Sequence, residues 1–391
     1  MISPSIMPVY RRADITMDRG EGVYLIDEQD NYYLDFAAGI AVNSLGHSHP
    51  RLVEALQNQA AKLWHCSNLF GNAGLVEFSE KLTSLSFADA VFCCSSGAEA
   101  VESAIKFIRR YHHVKETGRS KIIVAEGGFH GRTLGALSAG SNPRVQESYH
   151  PLLPGFESVA FDDIAVLEEA MQADDVAAIM LEPVQGEGGV RPHSKAYLER
   201  ARELADEHDA LLFFDEVQCG TGRLGNLFAY EYYGVIPDVV TIGKGIGSGF
   251  PVAACLVTRA ISDTMTPGCH GSTYGSNPLA MAVGTVVLEE LTHNNVLGHS
   301  QRMGKRLKAE LSKLVEAFPE HLEEVRGIGL MLGLVTKSSA YQINEKLRDA
   351  GLLLAPAGDS VLRVVPPLVI HEEHIDEAIG KLKEVLTHFE S

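Results

Sequence analysis

Val176-Ala177-Ala178-Ile179-Met180-Leu181 and Leu211-Leu212-Phe213-Phe214 are short, wholly apolar runs, and residues 194–209 between them have the spacing of an amphipathic helix. A strand without polar alternation is covered on both faces, and two such strands joined through a helix run parallel. The same texture extends outward. Apolar runs at 90–94, 121–125, 158–161, 239–242 and 253–257 alternate with helical patterns at 97–116, 163–172 and 277–292. The expected fold class is α/β, with a large domain over 51–290 built on a mainly parallel sheet between helices.

Both chain ends read differently. Residues 22–27 and 32–36 flank the turn-rich Glu28-Gln29-Asp30-Asn31, which predicts a hairpin. Pro50 opens a helix whose face carries Leu52, Leu56, Ala60 and Leu63. Near the C-terminus, helices are expected at 303–318, 340–350 and 372–389, with strands at 329–335, 352–355 and 361–365. Residues 1–50 and 291–391 are expected to share a smaller α+β domain.

The chain of 391 residues has 51 acidic and 33 basic side chains, a net charge of −18. Such a surface repels phosphate backbones and anionic membranes, so neither nucleic acid nor membrane is an expected partner. With 45% hydrophobic and 21% charged residues, the composition is that of a globular protein. No apolar run reaches the roughly 18 residues of a membrane span, and the first twelve residues lack a signal-peptide core, so a soluble cytoplasmic protein is expected. The six cysteines form no CxxC pair and read as free thiols. His371-Glu372-Glu373-His374 misses the HExxH spacing by one residue, and no metal site is expected. The GxxxxGK[ST], GxGxxG and GxSxG signatures are absent.

Six motifs stand out, five of them where apolar runs end. Ser95-Ser96-Gly97-Ala98-Glu99-Ala100 is a turn of small residues opening a long helix, which suits a phosphate or a simple cap. Asp215-Glu216-Val217-Gln218 puts two acids and an amide directly after a buried strand, where α/β sheets place their ligands. Thr241-Ile242-Gly243-Lys244-Gly245 sets one lysine among glycines, a candidate amine nucleophile with a lowered pKa. Gly128-Phe129-His130-Gly131-Arg132-Thr133 offers an aromatic face, an imidazole and a guanidinium. Glu182-Pro183-Val184-Gln185-Gly186-Glu187 and the hydroxyl-rich His270-Gly271-Ser272-Thr273 complete the set. Together they offer an amine for an aldehyde, an acid for a pyridine nitrogen, a π-face and phosphate donors, the needs of pyridoxal 5′-phosphate.

Those residues, with Ala38-Gly39-Ile40-Ala41-Val42-Asn43 and Gly271-Ser272-Thr273-Tyr274-Gly275, make the chain resemble the class III (subgroup II) pyridoxal-phosphate aminotransferases of fold type I, over almost its whole length. The resemblance implies that Lys244 carries the cofactor and moves the proton, and that Asp215 pairs with the pyridine N–H. It implies that Gln218 meets the phenolic oxygen and that Val217 and Phe129 flank the ring. Gly97 and Ala98 would bind the phosphate, and Thr273 would reach it from a neighbouring subunit. Glu216 and Glu182 are carried over with the cofactor and substrate residues. Arg132 and Ser272 would contact the amino donor, and Arg363 an α-carboxylate, with Glu187 pairing to Arg363 and swinging away. The implied protein is a homodimer with active sites at its interface. The implied reaction converts N2-acetyl-L-ornithine and 2-oxoglutarate to the semialdehyde and glutamate, a step of arginine biosynthesis. Ornithine, succinylornithine or 4-aminobutyrate are alternative donors, and an aminomutase or a non-catalytic cofactor binder are alternatives of another class. Ser95 and Val101 stand where the family's turn has asparagines.

Overall fold

In the computed structural model, which describes residues 5–389, the central sheet has seven strands. They are β1 (Ala90–Cys94), β2 (Lys121–Ala125), β3 (Phe156–Val159), β4 (Val176–Leu181), β5 (Leu211–Asp215), β6 (Val239–Ile242) and β7 (Ala253–Val257). Their spatial order is β1-β7-β6-β5-β4-β2-β3. Neighbours pair in parallel except at β7, which runs antiparallel to both β1 and β6. The expected parallel sheet is therefore mixed at one strand.

Alternate residues of these strands enter two separate cores. Leu211, Phe213, Val239 and Met180 pack with Val101, Ile105 and Ile108 of the helix Gly97–Val114. Leu212, Phe214, Val240 and Leu181 pack with Tyr197, Ala201 and Leu204 of the helix Lys195–Glu207. Both faces are covered, which is why the strands tolerate no polar alternation. At roughly 25 cal/mol per Å² of apolar surface, burying one such Leu or Phe contributes about 2 kcal/mol.

The expected hairpin forms as Tyr24–Asp27 with Tyr32–Asp35, extended on one side by Met17–Glu21. Its other neighbour is Leu352–Leu353, from the far end of the chain. The stretch expected as one strand at 352–355 is divided. Leu352–Leu353 joins this sheet, while Ala355–Pro356 pairs with Val361–Val364 in a second small sheet that also holds Leu322–Ile328 and Met331–Thr336. The run expected at 158–161 lies two residues earlier, as β3. Leu63 lies beyond its helix, which ends at Ala60, and is 45% exposed. Residues 390–391 of the C-terminal half and 1–4 of the N-terminal stretch fall outside the described residues.

These contacts bring distant segments to the ends of the central strands. Val365 N–H donates to the Phe36 carbonyl and Leu368 N–H to the Ser44 carbonyl. The Ser44 hydroxyl donates to the Gly245 carbonyl at 2.7 Å. Residues 36–45 thus bridge the strand that carries Arg363 to the turn that carries Lys244.

Candidate active site

A cavity of about 260 Å³ opens at the carboxyl ends of the central strands, lined by Gly97, Ala98, Phe129, His130, Gly131, Arg132, Glu182, Asp215, Val217, Gln218 and Lys244. Parallel strands end together here, so residues far apart in sequence converge.

Asp215 is the last residue of β5 and is 4% exposed. Its Oδ2 lies 2.8 Å from His130 Nδ1, and its Oδ1 accepts from the Thr241 hydroxyl at 3.0 Å and from Val217 N–H at 3.1 Å. Burial disfavours a charged His130, but the hydrogen bond and charge of Asp215, with the charge of Glu182, outweigh it and raise the imidazole pKa. The pair therefore holds a proton beside a buried carboxylate. His130 is a site residue that the sequence reading did not select, although its motif was singled out.

Glu182 follows β4 and accepts from Phe129 N–H at 2.8 Å and Gly186 N–H at 3.1 Å. Burial pushes its carboxyl up to about 7, against the pull of His130. It fixes the backbone beneath Phe129. The Arg132 guanidinium lies 5.2 Å from the centre of the Phe129 ring, within cation–π range.

Glu216 points elsewhere. It continues the other face of β5, where its carboxylate accepts from Ala229 N–H and from Tyr230 N–H at 2.8 Å. It is buried away from the cavity and caps the helix Ala229–Tyr233, so its side chain does not belong with the cofactor residues. Alternation along the strand sends neighbouring acids to opposite sides.

Lys244 follows β6 with a positive φ of 45°, a conformation that a non-glycine residue adopts at a cost of about 1–2 kcal/mol. Burial lowers its pKa to about 8, helped by the charge of Arg363 and opposed by Glu187, Glu182 and Asp215. Its amine makes no hydrogen bond among the described residues.

Arg363 lies in Val361–Val364 and is 1% exposed. One terminal nitrogen, Nη1, donates to Glu187 Oε1 at 2.6 Å and to Gln218 Oε1 at 2.9 Å. Its Nε is buried without a partner, leaving donor capacity unused. The Glu187 side chain keeps 35% of its exposure.

The turn before the helix Gly97–Val114 is capped by Ser96, whose hydroxyl accepts from Glu99 N–H at 3.3 Å. Capping and anion binding are thus both served, because the other first-turn N–H groups have no intrahelical acceptor. Gly97 is required: a Cβ there would lie 2.7 Å from Val217 Cγ1. The Ser95 hydroxyl is buried without a partner. Ser272 and Thr273 do not line the cavity of their own chain. The Ser272 hydroxyl is 3.3 Å from Glu99 Oε1, and Thr273 is exposed.

The donor set fits pyridoxal 5′-phosphate: an amine of lowered pKa, a buried acid, an aromatic face and a glycine turn beside an unpartnered hydroxyl. Among the described residues no group of three His, Cys, Asp or Glu side chains could hold a metal ion. Among the described residues no helix is long and apolar enough to cross a membrane.

Comparison with known proteins agrees with the chemistry. The class-III aminotransferase family model matches residues 7–386. Acetylornithine aminotransferase of Mesorhizobium japonicum is 48% identical over 98% of this chain and 96% of its own length. The enzyme of the same name from Agrobacterium fabrum is 46% identical over 97% of this chain and 95% of its own. Among solved structures, the ornithine aminotransferase of Toxoplasma gondii superposes with a TM-score of 0.94 at 33% identity, covering 98% of this chain and 92% of that one. N-acetylornithine aminotransferase of Stenotrophomonas maltophilia superposes with 0.85 at 40% identity, covering 96% of each.

Proposed function

The chain belongs to the class-III aminotransferases, a family of pyridoxal-phosphate-dependent enzymes, and from that premise we propose that it moves the δ-amino group of N2-acetyl-L-ornithine to 2-oxoglutarate. The products are N-acetyl-L-glutamate 5-semialdehyde and L-glutamate, and the step belongs to arginine biosynthesis. The observation that carries the reading is the Arg363–Glu187 pair beside Lys244, which in this reading parts to receive a carboxylate. The curated relatives at 42–48% identity support acetylornithine as donor. The Toxoplasma gondii ornithine aminotransferase favours ornithine as the second reading.

When bound, pyridoxal 5′-phosphate supplies an electron-accepting ring that stabilises the carbanion left when the donor's C–H proton departs. Lys244 anchors it and, with a pKa of about 8, can both take that proton and return it near neutral pH. Asp215, held by His130 and Thr241, would pair with the ring nitrogen's N–H. Phe129 and Val217 would flank the ring, Gln218 would meet its oxygen, and Gly97 and Ala98 with the Ser95 hydroxyl would hold the phosphate.

Arg132, which lines the cavity, would hold the donor's carboxylate, with Ser272 reaching it only from the neighbouring subunit, while Glu187 neutralises Arg363. When 2-oxoglutarate enters, Glu187 leaves and the guanidinium forks its carboxylate.

The working form in this reading is a homodimer in the cytoplasm. Leu63, Trp64, Leu69 and Phe70 are exposed in one segment, and the ring of Tyr274, beside Thr273, lies tilted 5.6 Å from that of His65 in the same segment. Such an apolar surface suits a second copy, into whose site Thr273 would project.

The test is a half-reaction screen. Holoenzyme mixed with acetylornithine should convert the cofactor's absorbance to that of its aminated form, and 2-oxoglutarate should reverse it. Conversion by ornithine or 4-aminobutyrate with none by acetylornithine would overturn the donor assignment. Turnover without any 2-oxo acid would indicate an aminomutase.

A further inference from the structure

One face of the helix Gly97–Val114 carries Glu99, Ser103, Lys106 and Arg110, at intervals that align side chains in a row. All of them engage one segment, residues 264–272. The Ser272 hydroxyl donates to Glu99 Oε1 at 3.3 Å. The Ser103 hydroxyl lies 2.9 Å from His270 Nε2, and Lys106 Nζ lies 2.7 Å from His270 Nδ1. Arg110 donates to the Thr264 carbonyl at 2.9 Å and to the Thr266 hydroxyl at 2.8 Å. From the other side, Asn68 Nδ2 donates to the Ser272 carbonyl at 3.0 Å. The loop is clasped along its base, and its tip, Thr273 and Tyr274, stands exposed.

His270 is the centre of the clasp and its chemistry is constrained. An ammonium only donates, so Nδ1 facing Lys106 must be the unprotonated nitrogen. Nε2–H then donates to Ser103, whose hydroxyl passes on to the Glu99 carbonyl at 2.7 Å. Only the neutral imidazole satisfies both contacts. Its ring packs 4.7 Å from Phe92 and 5.4 Å from Phe107. Burial and the Lys106 charge lower its pKa, while Glu102 and Glu99 pull the other way. A proton on Nδ1 would remove the acceptor and set two cations face to face.

We propose that His270 is a positioning residue that fixes Thr273 for the cofactor phosphate, and that the clasp opens when the imidazole gains a second proton. The inference rests on the phosphate role given to Thr273 above. The lowered value fixes the sign: the clasp is intact above the free imidazole's pKa of 6.5 and weakens as pH falls below it.

The experiment follows release of pyridoxal 5′-phosphate from the diluted holoenzyme, read by cofactor fluorescence, from about pH 8 to pH 5.5. The wild type should release it faster at the acid end, by at most about tenfold, the limit that one proton sets over the pH unit below 6.5. His270→Asn keeps an acceptor near Lys106 but cannot titrate, so its release should be slow and flat with pH. Lys106→Met, at an exposed position, removes one cause of the lowered imidazole pKa and should shrink the acid step. A purely structural histidine would give none of these profile changes, and melting at pH 8 checks that each variant folds. An unchanged acid step in His270→Asn, or no acid step in the wild type, overturns the proposal at the clasp. Release from Thr273→Ala matching wild type at every pH overturns it at the phosphate reading instead.

Discussion

On the sheet side of the cavity the two carboxylates are already paired, whereas on the side closed by Arg363 the polar groups are paired only in part. Asp215 accepts from His130, Thr241 and Val217, and Glu182 from Phe129 and Gly186. Arg363 uses one nitrogen for Glu187 and Gln218 and leaves Nε without a partner, and Glu187 is partly exposed. The first arrangement is preorganised, which is what stabilising charge at a fixed ring requires. In the proposed mechanism the second is bistable, which is what two substrates of different charge in one pocket would require. Chemistry common to both half-reactions is held rigidly, and discrimination is left to the pair that can part.

The largest break in that comparison is Lys244→Ala. Removing the anchoring and proton-moving amine should lower turnover by roughly 10⁴-fold or more, equally in both half-reactions. Single-turnover absorbance measures it, and near-normal rates would remove Lys244 from the mechanism. Asp215→Asn comes next, at roughly 10²–10³-fold on both half-reactions. It should also lower the unfolding free energy by about 1–3 kcal/mol, because His130 loses its charged partner in a buried site. Denaturant unfolding checks the second effect separately.

The Lys244 pKa of about 8 gives a pH dependence of known sign. The neutral amine is the nucleophile, so capture of free pyridoxal 5′-phosphate by the apo-protein should speed up about tenfold per pH unit below that value and level off above it. A flat profile between about pH 6 and pH 9 would mean that another group limits capture.

On the bistable side, Arg363→Lys keeps the charge but loses the fork. The KM for 2-oxoglutarate should rise roughly 10–100-fold, with a smaller change for acetylornithine. Equal changes in both would place Arg363 outside carboxylate discrimination.

The same division governs what the sequence made legible. Interior strands β2, β4, β6 and β7 were readable to the residue because a strand buried on both faces is a largely apolar run, and so was β1, an edge strand that is apolar throughout. Other edge strands were not. Met17–Glu21 and Leu322–Ile328 carry charges on exposed positions, and β3, at the end of the sheet, begins Phe156-Glu157 and was displaced by two residues. At the site, Lys244, Asp215 and the Gly97 turn followed from their places at strand ends. The His130–Asp215 pair spans 85 residues and the Arg363–Gln218 pair 145, so no local pattern encodes either. Arg363 entered through resemblance alone. The side-chain direction that separates Glu216 from Asp215 was available in the alternation of β5, had it been continued one residue past the strand.

The smallest predicted effect is the most specific to the comparison. Glu187→Gln keeps an acceptor for Arg363 but removes the charge that neutralises it. The guanidinium is then less firmly held, which lowers the work of opening the pair for 2-oxoglutarate. With acetylornithine bound, the uncharged part of the donor would face an unneutralised cation. The ratio of kcat/KM values for the two half-reactions should therefore shift toward 2-oxoglutarate by about tenfold, or 1.4 kcal/mol. Parallel half-reaction kinetics on one preparation measure the ratio directly. A shift toward acetylornithine would mean that the Glu187 charge serves the dicarboxylic acid instead. An unchanged ratio would make the ion pair a fixed structural contact, and the two sides of the cavity would then be equally rigid.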